Sequence, residues 1–149
     1  MKHYFLILIA SIICVPILLS GKEETDRIIG YWLTGDKATK IEIYQNEDGT
    51  FAGKIIWLQE PNDAKGNPKK DINNPDVKLQ QQPLIDLIVL SDFVRENRNK
   101  YKNGKYYEPT TGKTYSAKIE LINNNTITIR YFIGVPTLGR TDTWIRSSN

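Results

Sequence analysis

Histidine and cysteine each occur once in the 149 residues, as His3 and Cys14, and beyond Cys14 the chain holds neither. That part of the chain therefore cannot assemble a Ser-His-Asp or Cys-His constellation, a His- or Cys-ligated metal site, or a disulfide, and its stability has to come from burial alone. Charge of one sign is also lacking: 20 Lys and Arg stand against 17 Asp and Glu, too even a balance to mark a polyanion binder. A phosphate loop is missing too. Gly112-Lys113-Thr114 resembles the end of one, but Tyr107 occupies the position of the glycine five residues earlier, and Thr114 to Leu121 alternates like a strand instead of opening a helix.

The one long apolar run is at the amino terminus. Lys2 and His3 precede Tyr4 to Leu19, interrupted by Ser11, Cys14 and Pro16, and Ser20-Gly21-Lys22-Glu23-Glu24 then turns polar. This pattern predicts a secretory signal peptide over residues 1–21, with cleavage beside the small Ser20 and Gly21. The run falls short of the roughly 20 apolar residues that cross a bilayer; an uncleaved anchor is the alternative. Ile13 before Cys14 does not fit a lipoprotein. The predicted mature domain, residues 22–149, loses Lys2 and no acid, which leaves 19 basic against 17 acidic residues, a net +2. Such a chain, once cleaved, is not an integral membrane protein. It is exported to the periplasm or secreted.

What is abundant is period-two alternation. Ile41 and Ile43 alternate with Lys40, Glu42 and Tyr44; Tyr115, Ala117, Ile119 and Leu121 with Thr114, Ser116, Lys118 and Glu120; Ile127, Ile129, Tyr131 and Ile133 with Thr126, Thr128 and Arg130. These predict half-buried antiparallel strands. Asn46-Glu47-Asp48-Gly49, Asn103-Gly104, Thr110-Thr111-Gly112 and Asn123-Asn124-Asn125 supply turn signals at hairpin spacing. Further strands fit Gly30 to Thr34, Phe51 to Leu58, Leu84 to Ser91, Lys105 to Glu108 and Thr141 to Arg146. The expectation is an all-β single domain, an antiparallel up-and-down barrel of about eight strands, the number whose closed interior holds side chains or one small ligand. Gln59 to Gln82, rich in Pro, Asn, Asp, Lys and Gln, has no periodicity and predicts one long loop over a barrel end, with a helical turn near Asp76 to Gln80.

Several groupings could carry function. Gly30 and Trp32 open the first strand while Arg140 and Arg146 sit on the last, so pairing of the two would let a guanidinium close the barrel over the Trp32 ring. Trp57, Tyr107 and Tyr115 belong to an aromatic-rich set suited to an amphipathic small molecule. Arg130 would hold a carboxylate or phosphate head if it points inward, and is a solvated strand residue if outward. Arg95, Arg98, Lys100, Lys102 and Lys105 against Glu96 form a basic run with Tyr101; with export, this reads as a solvated loop rather than a nucleic-acid site. Asp71, Asn73, Asn74 and Asp76 lack calcium-loop spacing and read as turn caps. Asn124-Asn125-Thr126 fits the glycosylation triplet, though a hairpin tip accounts for it. Among Asp86, Glu108, Glu120 and Asp142, nothing in the sequence pairs one carboxylate with another as acid and base.

Taken in order, Gly30-x-Trp32, Ile41-Glu42-Ile43-Tyr44, Gly53-Lys54-Ile55-Ile56-Trp57-Leu58, Asp71-x-x-Asn74-Pro75, Pro83-Leu84, Gly104-Lys105-x-Tyr107-x-Pro109-x-x-Gly112-Lys113-x-Tyr115, Ile133-Gly134 and Gly139-Arg140-Thr141-x-x-Trp144-x-Arg146 resemble the DUF2147 family of exported bacterial proteins. The resemblance spans Gly30 to Arg146. It implies a calycin, lipocalin-like barrel, periplasmic or secreted, with no established activity; no cofactor is expected. Asp86, Glu108 and Tyr131 depart from the family pattern. The leading expectation is a non-enzymatic barrel holding a small amphipathic or lipid-like ligand, with Trp57, Tyr107, Tyr115, Arg130 and Arg140 as contacts and Gly30, Trp32 and Arg146 at the closure. The rival is an envelope structural or interaction protein with a filled barrel, contacting a protein or glycan. No metal site is expected.

Overall fold

The computed structural model describes residues 26–149; the predicted signal peptide, residues 1–21, lies outside them. Eight strands run in chain order: β1 (Gly30–Leu33), β2 (Thr39–Gln45), β3 (Phe51–Leu58), β4 (Ile88–Arg95), β5 (Lys100–Glu108), β6 (Lys113–Asn123), β7 (Thr126–Phe132) and β8 (Arg140–Ser147). Each pairs antiparallel with the next, and β1 pairs with β8, closing an up-and-down barrel with no free edge. The helical elements of the described residues are two short 3-10 turns, Val77–Leu79 and Pro136–Leu138, and no helix among these residues is long and apolar enough to cross a membrane. The first 3-10 turn lies within the helical turn expected near Asp76 to Gln80.

Alternation decides which side faces in. On β7, Ile127 and Ile129 are fully buried and meet Trp144 and Asp142 of β8 across the sheet, which sets Thr128 and Arg130 outside. On β6, Ala117, Ile119 and Leu121 point inward between exposed lysine, glutamate and serine. With Trp32, Ile41, Ile43, Phe51, Phe93 and Tyr101, these side chains fill one continuous core.

Two strand boundaries differ from the sequence expectation. β4 covers 88–95 rather than 84–91, because Asp86 at φ +68° turns the chain before it enters the sheet. β5 begins at Lys100, so the basic segment read as a solvated loop is a β-hairpin, and Asn103-Gly104 lies inside a strand. Ser91 pairs with Lys105 and Val94 with Lys102, so Asp92-Phe93 faces Asn103-Gly104. Both Asp92 and Asn103 take φ +61°, the left-handed region that Asx residues tolerate best after glycine. The Asn-Gly pair thus spends its conformational freedom on an irregularity within the ladder rather than on a turn.

The two ends of the barrel are unlike. At one end the segment before β1 plugs the floor: the Trp32 indole N–H donates to Ile28 O at 2.8 Å, and Ile28 is fully buried. The Arg146 guanidinium lies 4.3 Å from the Trp32 ring centroid and donates to Ile29 O at 3.1 Å, to Asn124 O at 2.6 Å and to Arg27 O. The Tyr101 hydroxyl donates to Asp26, which also pairs with Arg95. At the other end lie the β1–β2, β5–β6 and β7–β8 turns and the long connection between β3 and β4.

Candidate ligand-binding cup

The long connection is held to the barrel by one buried carboxylate. Asp71 is fully buried and accepts from the Tyr107 hydroxyl at 2.7 Å, from Asn74 Nδ2 at 2.7 Å and from Gln82 Nε2 at 3.3 Å. Next to it, Asn73 Nδ2 donates to the carbonyls of Pro109 and Thr110 in the β5–β6 turn. Gly112, at φ +68°, completes that docking: a Cβ there would lie 1.9 Å from Asn73 O. Burial first, then the hydrogen bond to Asp71 and its charge, push the Tyr107 phenol up to about 12.

This arrangement leaves a cup of about 390 Å³ at the barrel mouth. Its base is apolar and buried, formed by Ile41, Ile55, Val89 and Trp144. Tyr106, Tyr131, Leu58 and Leu84 form walls, and Thr34, Asp36, Thr39 and Glu108 stand toward the opening. Asp142 sits one inward position above Trp144 and accepts its indole N–H at 2.6 Å. Tyr106, Tyr115 and Tyr131 pack together, with Tyr131 5.1 Å from Tyr106 and 5.4 Å from Tyr115 between ring centroids. Burial, followed by the negative charge of Glu108, raises the Tyr106 and Tyr131 phenols above their ordinary range. A second cavity of about 620 Å³ lies under the long connection and shares Leu84, Pro109 and Thr110 with the cup.

A family model described as an uncharacterized protein conserved in bacteria, DUF2147, matches residues 30–146. The chain belongs to the DUF2147 family. Among solved structures, this DUF2147 barrel is similar to protein HP1028 from the human pathogen Helicobacter pylori, which is described as belonging to the lipocalin family. The TM-score is 0.72 at 27% identity, over 81% of this chain and 83% of that one. No curated protein matches. A lipocalin-like barrel is a ligand-binding type of fold and generally a non-enzymatic one.

In this DUF2147 barrel the residues singled out from the sequence fall in different places. Tyr107 lines the cup while its hydroxyl latches the loop; Tyr115 stands behind Tyr106 and Tyr131 and donates to Glu108 at 3.4 Å. Arg140, opposite Tyr131 across the sheet, is exposed at the mouth. Trp57 and Arg130 do not reach the cup. Trp57 is 40% exposed on the outer face beside Lys40, because the bulge between Lys40 and Ile41 matches Ile41 with Ile55 and Lys40 with Trp57. Arg130 is outside as well, its guanidinium donating to Pro136 O at 2.7 Å, Thr141 Oγ1 at 2.9 Å and Thr137 O at 3.3 Å; it braces the β7–β8 turn.

Sequence reasoning passed over Asp36 and Trp144 as cup residues, and counted Tyr106 and Tyr131 in the aromatic-rich set without choosing them as contacts. Tyr131 and Trp144 carried a usable signal, since each alternates in phase with buried isoleucines or faces one in the ladder. Of the four carboxylates weighed, Glu108 and Asp142 line the cup, whereas Asp86 pairs with Lys54 and Glu120 with Lys100 outside it.

Proposed function

We propose that this protein is an exported, non-enzymatic binding module whose cup takes one small amphipathic molecule. The observation that carries the reading is the asymmetry of the barrel: the floor is plugged and clamped by Arg146, while the mouth opens on an apolar base with polar groups above it. An apolar pocket with a few convergent polar groups is the usual form of a small-molecule site. At about 390 Å³ the cup suits a single-chain or single-ring molecule, near the low end of the roughly 300–1,000 Å³ range of such sites. The opening also favours this reading over a filled barrel that acts only as an interaction surface.

The test is native mass spectrometry of the protein purified from its own host without detergent, before and after denaturing extraction. The expected result is a stoichiometric adduct that leaves on denaturation. A clean apo mass, with no thermal shift against a panel of single-chain and single-ring amphiphiles, would overturn the reading.

A further inference from the structure

We infer that the molecule the cup takes is an amphipathic cation, a protonated or quaternary amine on an apolar or aromatic body. The inference rests on the small-molecule reading above and adds the sign of the ligand's charge.

Among the described residues three carboxylates, Asp36, Glu108 and Asp142, line the cup, and no lysine or arginine does. That is unexpected for a chain with more basic than acidic residues. The ion pairs of the described residues lie elsewhere, on Glu42, Asp86, Glu60, Asp26, Glu120, Glu96 and Asp92, and none involves the three cup carboxylates. Two of the three also keep an oxygen in reserve. Asp36 accepts from Thr34 and Ala38 through Oδ1 alone, and Glu108 accepts from Thr111 and Tyr115 through Oε2 alone. Asp142 is fully engaged, by Trp144, Thr143 and Gly35, and contributes charge rather than a free oxygen.

The rest of the lining suits the same ligand. Tyr106, Tyr131 and Trp144 offer π faces, which attract ammonium groups and repel anions. The raised phenols of Tyr106 and Tyr131 report that field: after burial, Glu108 and Asp142 act on both, and Asp36 also acts on Tyr106. Arg140 at the mouth opposes them on Tyr131 without lining the cup. A carboxylate or phosphate head would therefore enter a site of its own sign. An inorganic cation fits less well, because no three carboxylates of the described residues converge closely enough to hold a metal ion.

The test compares four probes that share one tail, each below its aggregation concentration: octyltrimethylammonium, octylammonium, octanol and octanoate. Binding is titrated by calorimetry and followed by the change in tryptophan fluorescence, with Trp144 the tryptophan that lines the cup. The expected order places both ammonium probes at least about tenfold tighter than octanoate, with octanol between. In the double variant D36N/E108Q, the preference for the ammonium probes over octanoate should collapse by about tenfold. If that variant does not fold, the wild-type protein still decides: raising NaCl from about 20 to about 500 mM should weaken the ammonium probes and spare octanol. Octanol and octanoate binding as tightly as the ammonium probes would overturn the charge inference and leave the binding module intact. No binding of any probe, with no adduct in the native mass spectrum, would overturn both.

Discussion

The paired irregularity between β4 and β5 gives a sharp test of the packing. At Gly104 an added Cβ would lie 2.3–2.4 Å from three atoms of the Phe93 ring, about 1 Å inside ordinary contact. The ring has nowhere to retreat, since Phe93 is 1% exposed and pairs across the sheet with Phe51, itself edge-on to Tyr101 at 5.1 Å. Gly104→Ala should therefore cost about 1–3 kcal/mol of overpacking, offset by roughly 0.4–1 kcal/mol from the stiffer unfolded chain. The net loss is on the order of 1–2 kcal/mol, a fall in Tm of roughly 3–10 °C for a domain of this size. Urea and thermal unfolding followed by tryptophan fluorescence would read it. The cause is separated from a general loss by Phe93→Leu, which costs stability alone but should make Gly104→Ala nearly neutral, a coupling of about 1 kcal/mol or more in the double-mutant cycle. A Gly104→Ala protein as stable as the parent, or costs that simply add with Phe93→Leu, would refute the account.

Other expectations follow from the floor and the latch. Arg146→Met removes the contact with Trp32 and three bonds to backbone carbonyls, and should cost roughly 2–3 kcal/mol in chemical unfolding. Asp71→Ala strands Tyr107, Asn74 and Gln82, and should speed tryptic cleavage at Lys65, Lys69, Lys70 or Lys78 several-fold before the barrel melts; an unchanged digestion rate would remove the latch from the account. The latch needs the protonated Tyr107 phenol, whose ordinary value is 10.0 and which burial beside Asp71 raises to about 12. Its contribution is thus complete below pH 10 and lost as pH rises through about 12, which tyrosinate absorbance and tryptic sensitivity should track together. Substitution of Trp57 or Arg130 should leave ligand binding in the cup unchanged, whereas Tyr131→Ala should weaken it, all readable by the same calorimetric titration.

Most of the barrel was legible because β2, β6 and β7 carry unbroken alternation with isoleucine on one face, and period two leaves two choices of face. β4 and β5 were less legible. Asp92 and Asn103 break the alternation, and an Asn-Gly pair looks the same in sequence whether it turns a chain or kinks a strand. The face of Arg130 stayed open for a related reason: threonine and arginine on one side do not exclude a polar interior, and only the ladder to Trp144 and Asp142 decides it. The single residue inserted between Lys40 and Ile41 pairings carried Trp57 outward, and no local pattern marks that shift. The cup was the least legible part, because its carboxylates come from the β1–β2 turn, the end of β5 and the start of β8, positions joined by closure and not by spacing.

The seam between β1 and β8 has a consequence for the order in which the protein can come into being. Arg146 reaches Ile29 across 117 residues, and the four-residue β1 meets β8 through three pairs, Tyr31 with Ser147, Trp32 with Arg146 and Leu33 with Ile145. A nascent chain can zip its hairpins one after another, but the ring and its floor wait for the last few residues to emerge. Contacts of such long separation form late and slow folding. The barrel thus stays an open ribbon of hairpins until its final strand arrives, and the ring shuts where Trp32 of the first strand meets Arg146, the last arginine of the sequence.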